Sequence, residues 1–130
     1  MKEEEQIEGA QWLQEFFKIR DQLGSLITKV SKAQDGSYSD RLAAFSEALE
    51  RMPVLLKAMK EAPQPKHKKL RAYKKLEEQA LDAYIKSCEW GMKALKEPNR
   101  VKQSAIVFQS SLATSYWELA GKEAVDFLKK

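Results

Sequence analysis

Seven residues, Tyr38, Leu42, Phe45, Leu49, Met52, Leu56 and Met59, follow one another at spacings of four and three without a slip. At about 100° per residue this rhythm lines one side of an α-helix, and its strict alternation is the a/d pattern of helices packed at shallow angles. A stripe of that length needs long helical neighbours to cover it. The rest of the chain supplies them. Trp12, Phe16, Ile19, Leu23, Leu26, Ile27 and Val30 form a second stripe, again at helical spacing.

Three stretches break the pattern: "QDGSYS" at 34–39, "APQP" at 62–65 and "EPN" at 97–99. Asp35-Gly36 offers a residue tolerant of positive φ, Ser37 or Ser39 offers an N-cap hydroxyl, and Pro98 suits a first helical turn. Helices are therefore expected near 4–33, 39–61, 66–96 and 98–128. With only 5 Gly and 4 Pro in 130 residues, the composition agrees with helix as the dominant structure. Pro53 lies inside the second stripe and removes one backbone hydrogen bond, yet the stripe keeps its phase across it, which predicts a kinked but continuous helix.

Short connections between long helices make neighbours antiparallel. The expected fold is all-α: a single-domain up-down-up-down four-helix bundle spanning residues 1–130, its second helix kinked at Pro53. The joint at 62–65 reads as a bundle loop, because neither hairpin alone could bury its stripes.

The third and fourth segments each carry two apolar rows. In the third, Leu70, Tyr73, Leu81, Tyr84, Cys88, Met92 and Leu95 lie on one side and Leu76, Ala80, Ala83, Ser87, Trp90 and Ala94 on another. In the fourth, Val101, Ala105, Phe108, Leu112, Tyr116 and Leu119 form one row, and Ile106, Ala113, Trp117, Ala120, Ala124 and Leu128 the other. The run "QSAIVFQSSLATSYW", Gln103 to Trp117, carries no charge in a chain that is 32% charged. Two rows call for two covers, and the second is either this chain's core or another copy of it. Core is the preferred reading for Trp90 and Trp117. The other is self-association through Trp90, Ala113, Trp117, Ala120 and Ala124, whose small side chains permit close helix approach.

Net charge is −1 over residues 1–34, −1 over 35–63, +6 over 64–102 and zero over 103–130. The excess gathers in "KHKKLRAYKK", where Lys66, Lys68, Lys69, Arg71, Lys74 and Lys75 form a candidate site for nucleic acid or an acidic partner. Basic residues at a helix start oppose the macrodipole, although Glu77, Glu78 and Asp82 follow within reach to compensate. A solvated face is the preferred reading of this cluster. Glu77 falls inside an apolar band; it either pairs with Lys74, Arg20 or a tyrosine hydroxyl or, the narrowly preferred reading, reaches water near the bundle's end.

No catalytic site is expected. The single histidine, His67, sits in the basic stretch, six turns of helix from Cys88, and reads as a surface residue. Glu-x-x-His pairs, clustered cysteines and the glycine patterns of nucleotide sites do not occur, so neither metal nor cofactor is expected. The start "MKEEEQ" lacks the features of a secretory signal, the one cysteine has no intrachain partner, and no apolar run is long enough to span a membrane. A cytoplasmic setting without membrane contact is the expectation. The function expected is a non-enzymatic protein–protein interaction module, with a protein or a second copy as partner. Nucleic-acid or acidic-partner binding through residues 66–75 ranks behind it, and a small-molecule site among Ser104, Ser111, Thr114, Ser115 and Tyr116 ranks third.

Overall fold

A computed structural model describes residues 2–129, and among them the regular structure is helix throughout: α1 (Glu3–Ala33), α2 (Tyr38–Glu61), α3 (Lys68–Lys96) and α4 (Arg100–Leu128). The four alternate in direction as a bundle. At one end Trp12 Nε1 donates to the Pro63 carbonyl at 2.6 Å, and Gln6 Nε2 donates to the Phe127 carbonyl at 3.5 Å. The start of α1, the α2–α3 joint and the end of α4 therefore share that end.

Local chemistry sets the helix boundaries. Ser37 and Asp40 form a reciprocal capping box at α2: Ser37 Oγ accepts from the Asp40 amide, and Asp40 Oδ2 accepts from the Ser37 amide. Gly36 does not adopt positive φ; it is needed for space, since a Cβ there would lie 2.7 Å from Asp40 Oδ2. Pro98 does not open α4 either. Asn99 is the N-cap, its Oδ1 accepting from the Lys102 amide at 2.9 Å, and the helix begins at Arg100. The third helix starts at Lys68 rather than 66 because His67 caps it, Nδ1 accepting from the Lys69 amide at 3.1 Å.

Pro53 leaves α2 continuous. Pro53 and Val54 face solvent, where water can bond the Leu49 carbonyl that the proline leaves without its donor, while Met52, Leu55 and Met59 on either side stay buried. The covered row of α2 is Phe45, Ala48, Met52, Leu55 and Met59, so Leu49 and Leu56 lie at its edge and Tyr38 is exposed. This helix packs against α1 on one flank and α3 on the other, and two partners widen the buried arc beyond one seam.

The hub is α3, with both of its apolar rows used: Leu70, Tyr73, Leu81 and Cys88 join the central core, and Ala80, Ala83, Ser87 and Ala94 are covered as well. The most extensive helix contact in the molecule is between α3 and α4. Only four α4 residues are buried, Ala113, Ala120, Ala124 and Phe127, three of them alanine. Small side chains let the two backbones approach closely.

A candidate docking face on the fourth helix

Because α4 is buried along its alanine row, the other row stands outside. Val101 is 73% exposed, Phe108 64% and Leu119 52%, with Ala105 and Leu112 half-covered between them. Tyr116, read from the sequence as part of this row, is half-buried, and exposed Ser115 takes its place; the residues then follow spacings of four and three, an a/d stripe about 27 Å long at 1.5 Å per residue with no helix of this chain upon it. Leaving a phenylalanine and a leucine more than half in water forgoes roughly 1–2 kcal/mol each relative to full burial. The hydroxyls near the stripe are occupied locally: Thr114 donates to the Ser110 carbonyl, Ser115 to Ser111 and Ser110 to Val107. No hydroxyl of that group bonds a neighbouring helix.

Three of the five residues named for self-association are thus turned the other way. Ala113 and Ala120 are fully covered and Ala124 nearly so within the monomer, leaving no area for a second chain. Trp117 is half-buried, and Trp90 lies at the rim of the α3–α4 seam with Lys93 Nζ 4.7 Å above its ring. Both rows were visible in the sequence. What assigned them was size, since only the alanine row allows the close approach that α3 makes.

Trp117 belongs to a polar knot between α1, α3 and α4. Its Nε1 donates to Glu77 Oε1 at 3.0 Å, Arg20 Nε lies 3.2 Å from the same oxygen, and the guanidinium sits 5.1 Å over the indole. Glu77 is 4% exposed, so it does not reach water, and its partner is Arg20 rather than Lys74. Burial pushes its carboxyl above the ordinary value near 4.5, with the Arg20 charge and then the Trp117 and Tyr73 donors pulling back. The knot floors an open groove of about 590 Å³ between α1 and α4. Glu77, its buried acceptor, is already engaged within the chain.

The basic segment divides: Lys68, Arg71, Lys74 and Lys75 line one open groove of about 620 Å³ together with Glu78, while Lys66 and Lys69 turn elsewhere. Lys74 turns inward, 2.5 Å from Glu78 and 3.4 Å from the Lys60 carbonyl; Lys66 pairs with Glu8 at 3.3 Å, and Lys69 lies 4.0 Å from Asp126. Arg71 bonds the Lys66 and Pro65 carbonyls and so holds the loop before α3. Among the six, Lys68 and Lys75 alone have no such engagement in the described residues. A second groove, of about 580 Å³, is lined by Glu5 and Glu8 as well as Lys66, Lys68 and Arg71, a mixed-sign wall that does not favour an anion.

His67 is less of a surface residue than its setting suggests, since it caps α3 and packs edge-on against Phe127 at 4.9 Å between ring centres. Cys88 is 2% exposed, and burial followed by the Glu89 charge pushes its thiol up to about 12. Native protein is therefore expected to resist alkylation at pH 8 and to react at the rate of a free thiol only once unfolded. Equal labelling of folded and unfolded chains would contradict that burial.

Among the described residues no three His, Cys, Asp or Glu side chains gather as a metal ion would require, and no helix is long and apolar enough to cross a membrane. Comparison with family models, with curated proteins and with solved structures returned no match.

Proposed function

We propose that this chain is a non-enzymatic helical interaction module whose docking surface is the outer face of α4. The observation that carries the reading is the row Val101, Phe108 and Leu119, three large apolar side chains more than half exposed at helical spacing on a helix buried instead along Ala113, Ala120 and Ala124. Contiguous exposed apolar surface of this kind is where proteins dock, and the centres of interfaces are depleted of charge. The uncharged run from Gln103 to Trp117 fits that need on its outer side and fits burial on its inner side. Other groups have local tasks: Arg71 and Lys74 hold the α2–α3 joint, and Glu77, Arg20 and Trp117 tie three helices together.

Replacing Phe108→Glu and Leu119→Glu together is expected to leave the melting temperature within about 2 °C of the parent, because exposed positions change stability by less than ~0.5 kcal/mol. The same pair should abolish capture of the binding partner from cells that produce the protein. Gln14→Glu, a charge added on exposed α1 surface, should leave capture intact. Unfolding of the double variant, or a partner retained by it, would refute a docking role for this face.

A further inference from the structure

The stripe on α4 is matched to itself. Its positions 101, 105, 108, 112, 115 and 119 are symmetric about residue 110, and antiparallel pairing sets Val101 against Leu119, Ala105 against Ser115 and Phe108 against Leu112 of another copy. Large meets large at both ends and near the middle, while the Ala–Ser layers between them let the backbones close up. We infer that the occupant of this face is a second copy of the chain, joined through an antiparallel α4–α4 seam with its two-fold axis at residue 110. A two-fold interface requires that residue i meet j and j meet i, which this spacing satisfies at every layer.

Charge selects the direction. The outward flank of the stripe is Ser104, Ser111 and Glu118, all exposed, so its one charge lies at the C-terminal end. Antiparallel pairing brings Glu118 beside Ser104 of the other copy and Ser111 beside its own counterpart. Parallel pairing would instead set Glu118 beside Glu123 of the other copy, like charges facing each other across the seam. The stripe itself holds no ion, no amide side chain and one hydroxyl, that of Ser115, which is bonded to the Ser111 carbonyl, so it offers nothing that would recognise a charged partner. This inference rests on the docking role proposed for α4 and adds the partner's identity.

Sedimentation of the full chain from about 1 to 500 μM tests it, a range suited to the micromolar dissociation constant expected of an interface at the small end of the stable class. The expected result is a shift from monomer to dimer with concentration that is lost in the Phe108→Glu, Leu119→Glu variant. Direction is read by cross-linking on a Cys88→Ala background. Ala105→Cys with Ser115→Cys in one chain should give a disulfide-linked dimer under mild oxidation, whereas either alone should not, because identical positions lie about 15 Å apart along an antiparallel pair. A monomer at every concentration, a dimer indifferent to the charged variant, or cross-linking by the single cysteines would each overturn the inference. Should the chain stay monomeric yet lose a different captured protein when Phe108 and Leu119 are charged, the docking role stands and the second copy falls.

Discussion

Truncating Phe127 to alanine is expected to lower stability by about 3 kcal/mol, near the bottom of the range for a buried phenylalanine because the site lies in the last turn of its helix. In a chain of this size that corresponds to a fall in melting temperature of about 10 °C. The ring is fully covered and sits against the His67 imidazole, while its backbone carbonyl receives the Gln6 amide. It holds the C-terminal end of α4 to α1 and α3. Gly9 makes room for it: a Cβ at that position would fall 2.3 Å from Phe127 Cζ and 3.0 Å from Leu70 Cδ1. Gly9→Ala should thus destabilise the parent by overpacking, roughly 1–3 kcal/mol, despite the ~1 kcal/mol gain in helix propensity. With Phe127→Ala already present the added methyl enters vacated space, and the same change should become stabilising. Thermal denaturation of the four proteins measures the coupling, and additive effects would deny that the two residues meet.

The next largest effect is expected at Arg20. Arg20→Met removes the counter-charge of a carboxylate that is almost wholly inside the bundle, a change that costs about 3–5 kcal/mol for fully buried pairs. The Arg20 side chain is 29% exposed and already shares its charge with water, so roughly 2–3 kcal/mol at pH 7 is the expectation here. The loss should depend on pH in a defined sense. A carboxyl whose folded pKa lies above its unfolded value binds protons more readily when folded, so its contribution is fullest below about 4.5 and declines as pH rises through the folded value. Removing Arg20 raises the folded value further and deepens that decline. The deficit of Arg20→Met should therefore shrink as the pH is lowered from 7 to 4. Adding Glu77→Gln should recover most of it at pH 7, since the amide oxygen can still accept from Trp117 Nε1 while the buried charge is gone. Denaturant melts at both pH values read this directly; a deficit unchanged by pH or by Glu77→Gln would place the cost in packing instead.

The architecture was legible because apolar spacing is a property of one helix at a time. Each stripe announced its helix, and the turn chemistry at 34–39, 62–65 and 97–99 placed the joints within two residues of where they lie. Caps refined the edges in ways that spacing cannot: Asn99 outcompetes Pro98 as the start of α4 because its side chain satisfies a free amide, and His67 does the same for α3. The Arg20–Glu77 pair was legible as one of several partnerships, since each residue lies beside an apolar stripe, but the choice among partners depends on how helices are phased against each other.

Which row of α4 faces inward was legible only as a preference for the Trp117 row, for the same reason. Both rows have helical spacing, and the row with Trp117 competes with the row holding Phe108. The deciding quantity is the distance between α3 and α4, set by Ala80, Ala83, Ser87 and Ala94 on one side and Ala113, Ala120 and Ala124 on the other. Alanine facing alanine draws helices together, and the bulkier row is left for something else. Similarly, six cations in ten residues read as one patch, yet Lys66 and Lys69 turn to Glu8 and Asp126, and the four that share a groove, Lys68, Arg71, Lys74 and Lys75, do so with Glu78, which pairs with Lys74.

Hydroxyl-radical footprinting of α4 tests the docking face most directly, with the purified chain at high dilution compared with the chain inside the cells that produce it. Phe108 and Leu119 are expected to be strongly modified in the dilute protein and protected in the cell, with Phe127 protected in either state. Equal modification of Phe108 and Leu119 in the two states would contradict that expectation.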